Sequence, residues 1–223
     1  MRPQLHGLNR NGVVNVLRNN DDWMGIQDIL HALPLNPCDT TADYAEWLLD
    51  VCIRAGLVET LTVADARYYK ATPESSKPSS VKPDMLLRTA QQLTRSAPET
   101  VARNLGKRRI KVSAFERSPL GQHSLPSVMD YIIAIGAKAE LVTADGVPVS
   151  TELSCQLRQA AGLSQSMVAH ALGIDPTGYS RIENDILKKR ISRIMQIFYE
   201  IFDVSVEFRI RVEGQDPLIL RRS

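Results

Sequence analysis

An internal repeat is the feature that most constrains the fold of this 223-residue chain. Residues 88–117 align without a gap with residues 155–184, and with a one-residue adjustment the similarity extends to residue 135. The identical or similar pairs are Gln92–Gln159, Val101–Val168, Ala102–Ala169, Leu105–Leu172, Gly106–Gly173, Ser113–Ser180, Glu116–Glu183, Leu125–Ile191, Val128–Ile194, Met129–Met195 and Ile135–Ile201. Each copy closes on a strand-like run, AKAELVT or VSVEFRIRV. A repeat of this length indicates duplicated units of one fold.

The breaks in apolar periodicity divide the chain into four parts. Pro, Ser and Lys dominate the stretch TPESSKPSSVKP, which is typical of a linker. A second turn signal, ADGVPVST, separates the two copies. The predicted parts are an N-terminal domain at 1–72, a linker at 73–83, and two repeat domains at 84–147 and 148–223.

The N-terminal part is predicted to be three helices followed by a hairpin. GVVNVLRN and MGIQDILHAL read as the first two helices. The third is expected from about Ala42 to Ala55, capped by Thr40 or Thr41 and ended by Gly56. One face of this helix carries the apolar residues Tyr44, Trp47, Leu48, Val51 and Cys52. LVETLTV and ARYYKAT alternate around Ala64-Asp65, which suits two paired strands, and the whole order is that of a winged helix.

The second copy, LRQAAGLSQSMVAHALGIDPTGYSRIEN, predicts two short capped helices joined by a tight turn. Ser164 and Asp175 can each accept a hydrogen bond from the free amides of the helix that follows. Pro176 suits a first helical position, and Gly173 permits the turn. Ala169 is small where the helices cross, and the expected core residues are Val168, Leu172, Tyr179 and Ile182.

This segment resembles the Cro/C1 (XRE) helix-turn-helix family, whose second helix begins Ser-Gln and whose recognition helix ends Ser-Arg-Ile-Glu-Asn. The resemblance covers residues 152–212. It implies that Thr177, Gly178, Ser180 and Arg181 meet base edges in the major groove, with Arg181 suited to guanine. It also implies that Gln165 binds a backbone phosphate. The first copy departs from the pattern, because Ala97-Pro98 replace Ser-Gln, which bears on its phosphate contact rather than on its fold.

Positive charge is concentrated in the middle of the chain. Residues 1–72, 73–147 and 148–223 carry net charges of −3, +4 and +1. Four cations fall within five residues at the turn and start of the first copy's recognition helix, which favours phosphate binding: Lys107, Arg108, Arg109 and Lys111. Ile110 and Ala114 are expected to be exposed beside them. Lys188, Lys189 and Arg190 could hold the backbone similarly, with chance surface charge as the alternative.

The N-terminal third helix is acidic where a DNA reader would be basic. Asp43, Glu46 and Asp50 are expected on its exposed face, where phosphates would be repelled. The N-terminal part is therefore interpreted as a dimerisation or partner-binding winged helix.

No pattern for catalysis, a cofactor or a metal is present in the sequence. His6, His31, His123 and His170 are scattered, and Cys38, Cys52 and Cys155 lack metal-ligand spacing and are expected to be reduced thiols. No signal peptide or membrane-spanning run is apparent, so a cytoplasmic protein is expected. No small-molecule effector can be named.

The fold predicted is mainly α: an N-terminal winged helix and two tandem phage-repressor-like helix-turn-helix domains of the five-helix type, each ending in a β-strand. The function predicted is sequence-specific binding of double-stranded DNA by a transcriptional regulator. A repressor at an inverted-repeat operator is expected, because repression requires only occupancy. The alternative is a protein-interaction module, an antitoxin or inhibitor, that keeps helix-turn-helix folds as scaffolds.

A homodimer is also predicted, for two reasons. The strand around residues 204–212 has one apolar face and would alone leave an unpaired edge. The N-terminal part also requires a partner surface. The alternative for the strand is pairing, within one chain, with the strand that closes the first copy.

Overall fold

A computed structural model describes residues 8–20, 22–33, 42–73 and 86–221. The described residues are mostly helical, with two small sheets. Thr40, Thr41, Cys38, His6 and the linker after Pro73 lie outside them. The chain forms two compact units, which are residues 1–78 with 162–181, and residues 79–161 with 182–223.

In the first unit, the N-terminal elements among the described residues are three helices and a three-stranded sheet. They are α1 (Arg10–Asn19), β1 (Met24–Gly25), α2 (Ile26–Ala32), α3 (Ala42–Arg54), β2 (Val58–Val63) and β3 (Ala66–Ala71). The strands are antiparallel in the order β1–β3–β2. The second helix starts later than predicted, because Met24 and Gly25 pair with Tyr69 and Tyr68 as a short strand.

Helix α3 matches its predicted bounds and buried face. Tyr44, Leu48, Val51 and Cys52 are buried, and the half-buried Trp47 stacks on Tyr44 with ring centroids 5.4 Å apart. Gly56 follows the helix with φ +67°, a conformation that glycine adopts without steric cost.

The hairpin after α3 turns at the predicted residues. Ala64 and Asp65 both have positive φ, which gives the two-residue turn that matches the twist of paired strands. Strand β2 does not alternate as predicted, since Val58 is buried and its other five residues are exposed.

The two repeat segments contain the same elements in the same order. The first repeat segment comprises α4 (Leu86–Leu93), α5 (Pro98–Asn104), α6 (Arg109–Arg117), a 3-10 turn (Leu120–Gln122), α7 (Leu125–Ala134) and β4 (Lys138–Thr143). The second comprises α8 (Thr151–Ala160), α9 (Gln165–Ala171), α10 (Pro176–Asn184), a 3-10 turn (Ile186–Lys188), α11 (Ile191–Phe202) and β5 (Val206–Arg211). Each segment thus has four α-helices and one 3-10 helix, which make five helical elements before the closing strand.

The apolar positions that match between the repeats are core positions. Val128 in α7 and Ile135, the C-cap of α7, are buried. The matching residues of α11, Ile194 and Ile201, are buried too. Gly106 and Gly173 also occupy the same place, each ending a helix with positive φ.

A second antiparallel sheet, in the second unit, has the order β4–β5–β6, where β6 is Leu218–Arg221. Strand β5 therefore has a partner on both edges, and the expectation that it leaves an unpaired edge is wrong. The alternative, pairing with the strand of the first repeat segment, is confirmed. Strand β6 was not predicted. The apolar face of β5, formed by Val206, Phe208 and Ile210, is buried.

Candidate nucleic-acid interface

Helices α9 and α10 are built by local capping, as the sequence indicates. The Ser164 hydroxyl accepts a hydrogen bond from the Met167 amide at 3.2 Å, and the Asp175 carboxylate accepts one from the Gly178 amide at 2.8 Å. Gly173, with φ +67°, forms the turn between the helices. Each cap satisfies a backbone donor that has no partner within its helix, so both helix starts are fixed.

The predicted inner face of this helix pair is largely buried. Val168, Ala169 and Tyr179 are inaccessible to solvent, and Leu172 is buried. Ile182, predicted to be in the core, is half-buried.

Thr177 and Arg181 are exposed and lie four residues apart on α10, which places them on one helix face. Gln165, the first residue of α9, is half-buried, and so are Gly178 and Ser180. Tyr179 points inward between them. The exposed face of α10 thus carries a hydroxyl and a guanidinium, groups that can bond to base edges or phosphates.

Gly178 has a role that sequence reasoning missed. A Cβ at this position would lie 2.8 Å from Oδ2 of Asp175, closer than Cβ atoms approach an oxygen. Gly178 therefore leaves space for the carboxylate that caps its own helix. A glycine three residues after a capping Asp was the available signal.

A residue of α1 lies beside the helix-helix turn within the first unit. A Cβ on Gly173 would lie 3.4 Å from Nδ2 of Asn11. No local sequence signal connects these two positions. The turn is consequently flanked by the N-terminal segment.

The four predicted cations of the first repeat segment surround the start of α6. Lys107 lies in the turn, Arg108 is the N-cap, and Arg109 and Lys111 are in the first helical turn. All four are exposed, and so are Ile110, at 79%, and Ala114. We call Lys107, Arg108, Arg109 and Lys111 the basic cluster.

Two members of the basic cluster have partners within the segment. Arg109 forms an ion pair with Glu99 of α5 at 2.7 Å, and the two side chains are 65% and 56% exposed. Nζ of Lys107 lies 5.9 Å from the centroid of the Phe115 ring. The Glu99 carboxylate offsets the charge of Arg109, so Arg109 contributes less to the local potential than its formal charge suggests.

The cations that follow α10 are partly engaged. Lys188 pairs with Asp185 at 2.7 Å, and this hydrogen bond lowers the pKa of Asp185 below its ordinary value. The Lys189 carbonyl accepts a hydrogen bond from the Leu125 amide, and Arg190 is the N-cap of α11. The side chains of Lys188 and Arg190 are exposed, whereas Lys189 is half-buried.

The parts of the chain that the structure describes contain neither a metal-binding cluster nor a membrane-spanning helix. Among these residues, no group of three or more His, Cys, Asp or Glu side chains is placed to hold a metal ion. Each helix in the same ranges is too short or too polar to cross a membrane.

The comparisons with known proteins give one match. The sequence profile of the Helix-turn-helix family matches residues 156–197, which run from within α8 to within α11. Comparison with curated proteins and with solved structures gave no match. The matched residues include both capped helices, the Gly173 turn and the exposed face of α10. The matched segment is a helix-turn-helix of the XRE type, and it supports a DNA-binding regulator.

Proposed function

We propose that the chain is a sequence-specific DNA-binding transcriptional regulator that reads bases with α10. The observation that carries the proposal is the exposed Thr177–Arg181 face on a capped helix within the segment that matches the family. Arg181 is assigned a bidentate contact with guanine, the commonest specific contact in the major groove. Thr177 and Ser180 lie close enough in sequence to meet neighbouring base edges or phosphates. Gly178 has no side chain to offer and is assigned to the cap.

Phosphate contacts are assigned to residues that position the domain without reading sequence. Gln165, at the N-terminus of α9, is assigned one of them, since backbone and side-chain donors at helix starts favour anions. Lys107, Arg108 and Lys111 of the basic cluster are assigned others, with Arg109 weaker because of Glu99. Lys188 and Arg190 are the remaining candidates, and Lys188 must give up Asp185 to bind a phosphate.

The N-terminal domain is proposed to be a winged helix that binds a partner other than DNA. The exposed Asp43 and Glu46 give α3 a negative face, and Asp50 forms an ion pair with Arg67 of β3 at 3.2 Å. Phosphates would be repelled by the two exposed carboxylates. Regulation by repression is the proposed mode, because occupancy of a promoter requires no further contact.

Selection from random duplex DNA, followed by affinity measurements between about 50 and 200 mM salt, tests the proposal, because counterion release makes phosphate binding weaken steeply over this range. We expect one enriched sequence and an affinity that falls steeply as salt rises. A chain that enriches no sequence and binds no duplex at low salt would overturn the proposal. That result would favour the protein-interaction module instead.

A further inference from the structure

Two backbone hydrogen bonds join the repeat segments reciprocally in the second unit. The Leu125 amide donates to the Lys189 carbonyl at 3.0 Å, and the Ile191 amide donates to the His123 carbonyl at 3.1 Å. Leu125 and Ile191 are equivalent in the repeat, and so are His123 and Lys189. An operation that exchanges the two segments therefore maps each of these hydrogen bonds onto the other.

The strands repeat this relationship. Strands β4 and β5 close the two segments and pair antiparallel, with Lys138 opposite Arg211 and Thr143 opposite Val206. Antiparallel pairing of two equivalent strands is what a twofold axis produces. Leu141 and Phe208 face each other near the middle of the paired strands, and both are buried.

The 3-10 turns provide a third reciprocal contact. The turn Leu120–Gln122 lies against α11, and the turn Ile186–Lys188 lies against α7. The approach is close at Gly121, where a Cβ would lie 3.2 Å from the Cβ of Ser192. A patch that contacts its own equivalent in this way is the signature of an isologous interface, the type that joins two identical subunits.

In the described sheet, both edges of β5 and part of the outer edge of β4 are already occupied. Strand β6 covers the other edge of β5. Residues 147–149 cover part of the outer edge of β4, since the Thr143 amide donates to the Val147 carbonyl at 2.8 Å and the Val149 amide to the Leu141 carbonyl at 2.9 Å.

We propose that the first repeat segment takes, within one chain, the place of the second subunit of a helix-turn-helix dimer. The chain is then a monomer and binds its DNA target as one chain per duplex. The part concerning DNA rests on the proposed function. The monomer replaces the homodimer that the sequence suggested, because the reciprocal contacts are already made internally.

The two segments differ at the positions proposed to face DNA, so the DNA site of this chain should differ from that of a symmetric dimer. The repeat places Ala114 where the second segment has Arg181, and Arg108 where it has the capping Asp175. One segment offers a base-reading guanidinium, and the other offers the charges of the basic cluster. The DNA that fits such a chain has unlike halves rather than an inverted repeat.

A disulfide tests the internal pairing in the full chain. Ser124 and Arg190 face each other in an isolated antiparallel bridge, so the variant S124C/R190C places two thiols within disulfide range. After oxidation we expect a cross-linked species of the 24.8 kDa chain mass, and light scattering at micromolar concentration should give the same mass for the unaltered chain. Each single-cysteine variant is the control for the native thiols. A covalent dimer that requires both cysteines, or a native mass of twice the chain, would overturn the proposal.

A mixing experiment tests the stoichiometry on DNA. The full chain and the same chain fused to a larger folded protein are mixed with the selected duplex and separated by gel electrophoresis. We expect two shifted bands, one for each form. A third band of intermediate mobility would show two chains per duplex and contradict the proposal. If no band shifts, the proposed function fails, while the disulfide and the mass still decide the internal pairing.

Discussion

The phenol of Tyr131 donates a 2.7 Å hydrogen bond to the carboxylate of Glu116, and both side chains are buried. The equivalent carboxylate in the second repeat segment, Glu183, is instead bound by Arg158 through Nε at 2.7 Å and Nη2 at 3.3 Å. Gln91 replaces Arg158 in the first segment. A buried carboxylate is costly without a donor, so the tyrosine compensates for the missing guanidinium.

Tyr131→Phe is expected to lower the free energy of unfolding by about 1–3 kcal/mol, the usual cost of leaving a buried polar group without its partner. Urea unfolding followed by circular dichroism measures it. The matched control is the same change in a Glu116→Leu background, where the hydrogen bond no longer exists and the loss should be much smaller. Equal losses in both backgrounds would contradict the interpretation.

A second prediction concerns alkaline pH. Burial raises the pKa of both Tyr44 and Tyr131 above the ordinary tyrosine value, and the hydrogen bond with Glu116 adds to the shift at Tyr131. A raised folded-state pKa means that the native state holds its proton more tightly than the unfolded state. The contribution of these two tyrosines to the stability of the fold is therefore fully present below a pH of about 10, where tyrosine ionises in the unfolded chain. It is lost as the pH rises above that value.

Tyrosinate absorbance measured together with circular dichroism checks this expectation. Of the six tyrosines in the chain, Tyr44 and Tyr131 should ionise only as the fold is lost. Complete ionisation of all six near a pH of about 10 with the helical signal intact would contradict it.

Capping signals could be recognised from sequence because they are local. Ser164, Asp175 and Gly173 act on backbone groups within a few residues, and each holds its predicted position. The repeat likewise identified core positions such as Val128 and Ile194, because apolar periodicity reflects burial directly.

Relations between distant residues could not be predicted in the same way. Glu99 lies ten positions before Arg109 and partly offsets a charge that the sequence assigned to phosphate binding. Asn11 lies beside Gly173 through tertiary packing alone. The pairing of β4 with β5 was one of two alternatives, because an amphipathic strand does not reveal which edge it will meet.

Because Gly178 leaves space for the Asp175 carboxylate, the effect of Gly178→Ala on stability is expected to depend on whether Asp175 is present. Gly178→Ala should be destabilising in the native background, because the new Cβ displaces the capping carboxylate, and loss of a cap costs about 0.5–2 kcal/mol. In an Asp175→Ala background the same change should stabilise by up to about 1 kcal/mol, since alanine is the better helix former. Thermal unfolding of the four chains measures both effects. If Gly178→Ala has the same sign in both, the glycine has another role.

Arg181→Ala is expected to weaken specific DNA binding by about 1–3 kcal/mol and to relax the preference at one base pair. Lys138→Ala is the matched control, because it removes one exposed positive charge outside the candidate interface. Affinities for the selected duplex and its single-base variants give the measurement. Arg181 would lose its assignment if both its affinity and its base preference stayed at the level of the control.

Replacing all four residues of the basic cluster by Gln should weaken binding to specific and non-specific DNA alike. The slope of log affinity against log salt should flatten by about 0.9 for each phosphate that the variant no longer neutralises. Among single changes, Lys111→Gln should flatten it more than Arg109→Gln, because Glu99 already pairs with Arg109. An unchanged slope in the quadruple variant would remove the first repeat segment from the DNA interface.

The pairing of β4 with β5 also affects how the chain can be made. During synthesis, residues 138–143 emerge before the partner strand at 206–211, with residues 144–205 between them. Until then Leu141 and Val142 lack the cover that buries them, and the strand offers open hydrogen-bonding groups to other nascent chains. The charges of Lys138 and Glu140 are placed to discourage such encounters. Chains cut short after α8 would therefore be expected to aggregate rather than to yield a folded first half.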